Sequence, residues 1–306
     1  MDLSIVTTLY QSSRYISEFH RRITGETIKL TTDYEIIFIN DGSSDDSLSI
    51  AREICVADFK VCVVDLSRNF GHHRAMMTGL GLARGDRVFL IDVDLEELPE
   101  SLSEFWKAMQ EDPEIDVVVG ELAEKTVPFL KKFSSNLFYK IFNTLSVTKI
   151  SNREIVSRLM DRTYVDALIA YREKEIFFPA IWVDAGFRQK KITVTKTYDG
   201  FSTYTLKKRL TMAVEAVTSF SSTPLIYIFY LGLIFSAGAF LFIVALLFRK
   251  IFFGHVMLGW TSLMATLFLV GGIIIFSLGV VGIYVSKIYI EIKDRPNSII
   301  RKIYKQ

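Results

Sequence analysis

Four short polar clusters hold the residues best suited to chemistry: Thr7-Thr8-Leu9-Tyr10, Asn40-Asp41-Gly42-Ser43-Ser44-Asp45, Ser67-Arg68-Asn69-Phe70-Gly71 and Asp92-Val93-Asp94-Leu95-Glu96. The sharpest is Asp92-x-Asp94. Alternate residues of an extended segment aim two carboxylates toward one region. Hard oxygen ligands suit Mg²⁺ or Mn²⁺ and leave coordination positions open for phosphate oxygens. A metal there would offset the charge of a diphosphate leaving group. A polar loop capping a helix before Pro99 also looks like this, so the motif draws its weight from its place after an apolar run. Asp41 is suited to accept hydrogen bonds from a nucleobase or ribose, or to form a turn in Asp-Gly-Ser-Ser. Arg68 is suited to pair with phosphate, or to be a surface cation. His72 and His73 are adjacent and point different ways from a helix, which favours packing at a helix N-terminus or pocket edge over a metal pair. The glycines at 79, 81 and 85 lie late in a helical stretch and do not make a dinucleotide-binding loop.

The elements that must position these clusters alternate along the first 120 residues. Leu3–Thr8, Tyr34–Ile39, Lys60–Leu66, Arg87–Ile91 and Ile115–Val119 are apolar runs of strand length. Between them, Tyr15, Ile16 and Phe19, then Asp46–Ala57, then His72–Ala83, then a stretch from about Pro99 read as helices. Such alternation predicts an α/β fold with a parallel sheet covered on both faces. In open sheets of this kind ligands sit beyond the carboxyl ends of the strands, and the polar clusters fall at those ends.

The 306 residues carry a net charge of +2, so total charge points to no nucleic-acid partner. Cys55 and Cys62 have no metal or redox spacing and read as reduced, buried thiols. The chain starts Met-Asp-Leu-Ser and runs into a strand, so no signal peptide is expected and the first domain is expected in the cytoplasm. Mean hydropathy is positive, +0.30, because of two uncharged C-terminal runs, Pro224–Phe248 and Val256–Ser286. Each is long enough for a bilayer, which needs roughly 20 residues, and Trp260 and Tyr284 suit the interface. Lys207, Lys208 and Arg209 precede the pair of runs, and Lys287, Lys293, Arg295, Arg301, Lys302 and Lys305 follow it. The positive-inside rule then puts both termini in the cytoplasm, as a multi-pass protein of the cytoplasmic membrane. Residues of about 128–149 and 206–223 read as amphipathic helices lying in the membrane interface.

Taken together, Leu3-Ser4-Ile5-Val6, Asn40-Asp41-Gly42-Ser43-x-Asp45, Leu66-Ser67-Arg68-Asn69-Phe70-Gly71, Asp92-x-Asp94-Leu95 and Arg158-Leu159-Met160-Asp161-Arg162 resemble family 2 glycosyltransferases. The branch resembled is the polyprenyl-phosphate (dolichol-phosphate) sugar synthases. Gly279-x-x-Gly282-x-Tyr284 and Lys293-x-Arg295-Pro296 resemble bacterial glucosyl members with two transmembrane helices. The resemblance implies a GT-A fold, Rossmann-like with a mostly parallel sheet, over residues 1–205, and a transmembrane hairpin over 224–286, followed by a basic cytoplasmic tail over 287–306. It implies inverting transfer from a nucleotide-sugar, a UDP-sugar by preference, to polyprenyl phosphate such as undecaprenyl phosphate, for cell-envelope glycans. Homo-oligomers are expected among such membrane relatives.

By the same resemblance Thr8, Tyr10, Asp41, Arg68, Asn69 and Asp92 line the donor pocket. Asp92, Asp94 and Glu96 face a divalent metal, Mg²⁺ or Mn²⁺, with Glu96 standing where the family has glutamine. Asp92, Asp94 and Arg158 carry the reaction, and Arg158, Lys207, Lys208 and Arg209 meet the acceptor phosphate. The chain also departs from the family. Val156 stands where an acidic residue is usual near the reacting centre, and Thr203 where a lysine is usual. A phosphate acceptor is already largely ionised at neutral pH and has little need of a general base. Transfer to a different lipid acceptor, and an inactive nucleotide-sugar-binding scaffold at the membrane, are the alternative readings.

Overall fold

The computed structural model of the chain describes residues 1–122, 149, 151, 153–194, 223–253 and 259–306. The described residues fall into two compact units, a sheet unit that includes Arg295–Gln306 and a helical unit of the apolar C-terminal segments.

The sheet unit starts with β1 (Leu3–Leu9), α1 (Ile16–Thr27), β2 (Tyr34–Asn40), α2 (Ser47–Ala57), β3 (Val61–Leu66), α3 (His72–Leu82), β4 (Arg87–Leu90), α4 (Ser101–Glu111) and β5 (Val117–Leu122). Each falls within a few residues of its expected place. Then come β6 (Glu154–Asp161), α5 (Arg162–Ala170), α6 (Phe178–Asp184) and β7 (Gln189–Val194), and finally β8 (Ile300–Tyr304). The strand order is β7-β5-β6-β4-β1-β2-β3-β8.

Every residue of β1 and β2 is buried, as uninterrupted apolar runs require when both faces of a sheet are covered. Leu3, Ile5 and Leu9 share a core with Ile16, Phe19 and Ile23 of α1, Ala51 and Cys55 of α2, and Leu102 and Phe105 of α4. On the opposite face α3 comes so close that a Cβ on Gly79 would clash with Val6 and press on Ile39. Cys55 and Cys62 are free thiols, Cys55 fully buried and Cys62 partly so.

The sheet is mostly parallel, with two reversals that the apolar pattern does not announce. β6 lies antiparallel between β4 and β5, and β8 lies antiparallel beside β3. The mostly parallel sheet expected from the sequence is the one observed. The stretch expected as a basic tail supplies the edge strand: Ile300–Tyr304, with Arg301 and Lys302 between apolar ends, pairs along Val63–Leu66. Its basic side chains are exposed, which fits an edge strand.

The helical unit contains α7 (Thr223–Phe253) and α8 (Trp260–Ile292). Among the described residues one stretch, the 24 residues Leu269–Ile292, is long and apolar enough to cross a membrane, and Thr223–Phe235 is apolar but shorter. Lys287, expected just beyond the second span, lies within α8. Large apolar side chains such as Phe229, Ile275 and Phe276 are more than half exposed. The expected interface helices at 128–149 and 206–223, and Thr203, Lys207, Lys208 and Arg209, lie outside the described residues, apart from Lys149 and Thr223.

Candidate active site

The register of the central strands brings the polar clusters together. Leu9 pairs with Asn40, Asn40 with Asp65, and Val6 with Leu90, so β1, β2, β3 and β4 end side by side. Their carboxyl-terminal loops form one rim, the place where open α/β sheets bind ligands.

The first two loops are stitched to one another. Gln11 has φ 52°, a left-handed conformation that side chains rarely adopt, and its N–H donates to Ser43 Oγ at 3.3 Å. The Ser12 N–H donates to Ser47 Oγ at 2.9 Å, and the Ser13 N–H to Asp45 Oδ2 at 3.1 Å. Burial works to raise the Asp45 pKa, but the hydrogen bonds from Ser47 and Ser13 outweigh it and hold the carboxyl below its ordinary value. Tyr10 stands half exposed at the rim.

The second and third loops are joined by Asp41. It is buried, and its two oxygens accept from the N–H groups of Phe70, at 2.7 Å, and Gly71, at 3.0 Å. Gly42 has φ 63°, and a Cβ there would collide with the backbone of Arg68 and Asn69, so glycine is required on both counts. Asp41 therefore first of all fixes the Ser67–Gly71 loop, and any contact to a nucleobase or ribose adds to that. Arg68 and Asn69 are exposed; the Arg68 guanidinium lies 4.1 Å from the Phe70 ring centroid and donates to the Asn69 carbonyl at 2.8 Å.

Asp92 and Asp94 follow β4, both partly buried, with the Val93 side chain turned into the core between them. Leu95 has φ 61°, an uncommon conformation for a branched residue, and the turn is held by Glu96 N–H donating to Asp94 Oδ1 at 3.0 Å. Behind Asp92 stands His72, the first residue of α3. Its Nε2 is 3.3 Å from Asp92 Oδ1, and its Nδ1 is 2.9 Å from the Thr8 hydroxyl. Burial alone would lower the His72 pKa; Asp92, with Asp41 and Asp94 beyond it, outweighs burial and raises it. Thr8, His72 and Asp92 thus form one polar chain across the ends of β1 and β4. His73 turns the other way, with Nδ1 3.0 Å from the Ile176 carbonyl and its ring edge-on to Phe178, and burial lowers its pKa. The two histidines do not act as a metal pair.

All expected metal ligands are carboxylates. Among the described residues no three His, Cys, Asp or Glu side chains are gathered as a ligand set, so Asp92, Asp94 and Glu96 do not make a closed cage. A pair of hard oxygen donors at an open rim fits Mg²⁺ or Mn²⁺, which retain several positions for phosphate and water.

Arg158, the residue expected to meet a phosphate, is packed inside the sheet unit. It is 0% exposed, with its guanidinium against the Trp182 ring, Nε donating to the Val156 carbonyl at 3.2 Å and Nη2 to the Ile155 carbonyl at 3.1 Å. Burial pushes its pKa down to about 10. Its third guanidinium nitrogen, Nη1, is buried without a hydrogen-bond partner. Glu154, a conceivable replacement for the acidic residue missing at Val156, is ion-paired with Lys191 at 2.9 Å.

Glu97 is a site-supporting residue that sequence reasoning missed. It is buried and accepts from the N–H groups of Val156, at 3.3 Å, and Ser157, at 2.9 Å, and from the Ser157 hydroxyl. It ties the loop after β4 to β6. A second acidic residue directly after Glu96 was the available signal, and the partner strand was not.

The sequence profile described as "Glycosyl transferase family 2" matches residues 4–169. A Mycobacterium tuberculosis chain described in general terms as a glycosyltransferase is 42% identical over 99% of this chain and 89% of its own length. A prophage-derived bactoprenol glucosyl transferase of Shigella flexneri is 32% identical over 100% of this chain and 99% of its own length. Among solved structures, glucosyl-3-phosphoglycerate synthase from Mycobacterium tuberculosis superposes with a TM-score of 0.54 at 15% identity, covering 72% of this chain and 80% of that one. That likeness is one of fold.

Proposed function

The chain belongs to glycosyl transferase family 2 and is a glycosyltransferase, and on that premise we propose that it transfers a sugar from a UDP-sugar to the phosphate of a polyprenyl phosphate at the cytoplasmic membrane surface. The observation that carries the donor half of this reading is the fixed Asp92 carboxylate, backed by His72 and Thr8, on the same rim as the interlocked loops of Asp41 and Arg68. The acceptor half is supported by full-length likeness to chains named bactoprenol glucosyl transferases. Those names also make glucose the first sugar to test.

In this reading the nucleoside lies against Thr8, Tyr10 and the Asp41 loop, and Arg68 and Asn69 close over it. Asp92 and Asp94 hold Mg²⁺ or Mn²⁺, with Glu96 as a further oxygen donor within reach of the same turn. A metal held there would supply positive charge to the diphosphate leaving group. A non-bridging oxygen of the lipid phosphate forms the new bond to the anomeric carbon, and the bond from that carbon to the diphosphate breaks with its electron pair leaving on the nucleoside diphosphate. A single displacement of this kind inverts the anomeric configuration. The acceptor oxygen is already ionised, so the absence of an acidic side chain at Val156 leaves the step intact. Lys207, Lys208 and Arg209 are the candidates for the acceptor phosphate, since Arg158 is enclosed.

The exposed apolar surfaces of α7 and α8 support a membrane location. Leu269–Ile292 is the first candidate span, and the proposed topology is the two-span hairpin with both termini in the cytoplasm.

The reading is tested with the purified full chain in detergent, Mn²⁺ or Mg²⁺, undecaprenyl phosphate and labelled UDP-, GDP- and dTDP-sugars. A labelled lipid that mild acid cleaves, formed from a UDP-sugar, is the expected product. A product stable to mild acid, or label only on a lipid lacking a terminal monophosphate, contradicts the acceptor assignment.

A further inference from the structure

The last residues of the chain touch Ser67, where one of the two loops assigned to the donor begins, and Asp65 of β3, which leads to the other. Arg301 of β8 places Nη1 3.4 Å from Asp65 Oδ2 and donates from Nη2 to the Ser67 carbonyl at 2.6 Å. The Ser67 N–H donates to the Ile299 carbonyl at 2.9 Å. Ser67 is thus held from both sides by the C-terminal segment, and Arg68 and Asn69 follow it directly. The β3–β8 register shifts between Asp65 and Leu66, just where Arg301 reaches in.

Asp65 is itself buried, its side chain 3% exposed. Its other oxygen accepts from Asn40 Nδ2 at 2.8 Å, and Asn40 Oδ1 accepts from the Ser43 N–H at 3.3 Å. One line of contacts therefore runs from Arg301 through Asp65 and Asn40 into the Asp41–Ser43 turn, and a second runs from Arg301 through Ser67 to Arg68. A strand that merely covered the β3 edge would need only its backbone ladder. Arg301 adds a forked cation, and a fork can hold a carboxylate and a carbonyl in fixed relation where a point charge does not. Without it the buried Asp65 carboxylate keeps one neutral partner, an unfavourable state that relaxes by moving.

We propose that Arg301, acting through Asp65 and Ser67, is a positioning residue that sets the two donor loops for nucleotide-sugar binding. The inference rests on the donor reading given above. It makes the C-terminal strand, 234 residues beyond Ser67 at Arg301, part of the donor site rather than a tail.

The test uses the full chain in detergent, comparing wild type with Arg301→Ala, Arg301→Lys and, as a surface control, Arg21→Ala. Nucleoside diphosphate affinity is measured by calorimetry without acceptor, and KM for donor and for lipid phosphate in turnover. Arg301→Ala is expected to weaken nucleotide binding and raise donor KM by about tenfold, the worth of one charge-assisted contact. The acceptor KM and the kcat at saturating donor should stay within about twofold of wild type on the same free-energy scale. Arg301→Lys should recover only part of the loss, and the control should match wild type. Unchanged nucleotide affinity with a lowered melting temperature would overturn the proposal and leave Arg301 as edge packing. A rise in acceptor KM alone would overturn it as well. Wild-type protein that transfers sugar but binds nucleotide equally well after Asp41→Ala, Asp92→Ala and Arg301→Ala would overturn the placement of the donor site itself, a pattern distinct from the loss at Arg301 alone.

Discussion

Asp92 points to the rim because His72 holds it there, and His72 is held in turn by Thr8. A residue behind a metal ligand fixes the orientation of the ligand, and its removal typically costs 10–100-fold in affinity or activity. His72→Leu is therefore expected to raise the metal concentration needed for half-maximal transfer by about ten- to a hundredfold, with little change in melting temperature. An unaltered metal titration would mean that Asp92 needs no support from behind. The place of Asp41, Asp92 and Asp94 at the strand ends was legible from the apolar runs that precede them; that Asp41 ties the Ser67–Gly71 loop was not. The role of His72 was only half legible. Adjacency ruled out a histidine pair, but the contact to Asp92 depends on how α3 crosses β1 and β4. Arg158 shows the converse. Its motif suggests a phosphate ligand, and the pleat of β6 packs the side chain against Trp182 with Nη1 unpartnered, a burial that no local signal announces.

At the scale of elements, two buried carboxylates tie neighbouring elements together, Glu97 beside the site and Glu35 at the opposite, amino-terminal end of the strands. Glu97 binds the loop after β4 to β6. Glu97→Ala leaves the Ser157 N–H and hydroxyl without their acceptor, and the expected cost is about 1–3 kcal/mol, visible as a lower midpoint in denaturant titrations followed by tryptophan fluorescence. Glu35 of β2 accepts from Ser4 Oγ, at 2.9 Å, and from Arg84, both backbone and guanidinium. Burial works to raise its pKa, while Arg84 and Ser4 outweigh burial and hold it below the ordinary carboxylate value. A lowered folded-state pKa stabilises the fold above the unfolded-state pKa, and the contribution is lost as pH falls through the folded value. Stability should thus fall on acidification below the ordinary carboxylate range, and Glu35→Gln should flatten that part of the pH profile. An identical acid limb in the variant would assign it to other carboxylates.

The elements themselves were unequally readable. β1 to β5 announce themselves as apolar runs between helices. β6 was missed as a strand because Ser157 and Arg158 interrupt its apolar run, and the partner that accepts from Ser157, Glu97, lies 60 residues back along the chain. β8 reads as a basic tail because charge density at a chain end resembles a solvated segment, and its pairing partner β3 lies far back along the sequence.

For the whole molecule, chemistry and location come from different parts of the chain. The sheet unit gathers the polar rim, and among the described residues the helical unit exposes large apolar side chains such as Phe229, Ile275 and Phe276. A soluble protein rarely exposes contiguous apolar surface of that kind, so full-length chain should remain with membranes through carbonate extraction. Recovery in the soluble fraction would argue against any span. Composition made that division plain, since the charge-free runs are confined to the last third of the chain. The return of Arg295–Gln306 to the sheet unit was not legible, because only the long-range pairing of β8 with β3 reveals it.

The central claim is that a carboxylate pair after β4 supports sugar transfer to a lipid phosphate. It is tested most directly by following label from UDP-glucose into undecaprenyl phosphate, using full-length wild type and Asp94→Asn, each with Mn²⁺ and with excess EDTA. The account predicts labelled lipid from wild type with metal, none with EDTA, and at least a roughly hundredfold lower rate from Asp94→Asn, since a direct ligand should matter at least as much as a supporting one. Equal labelling by the two proteins, with or without metal, would contradict it.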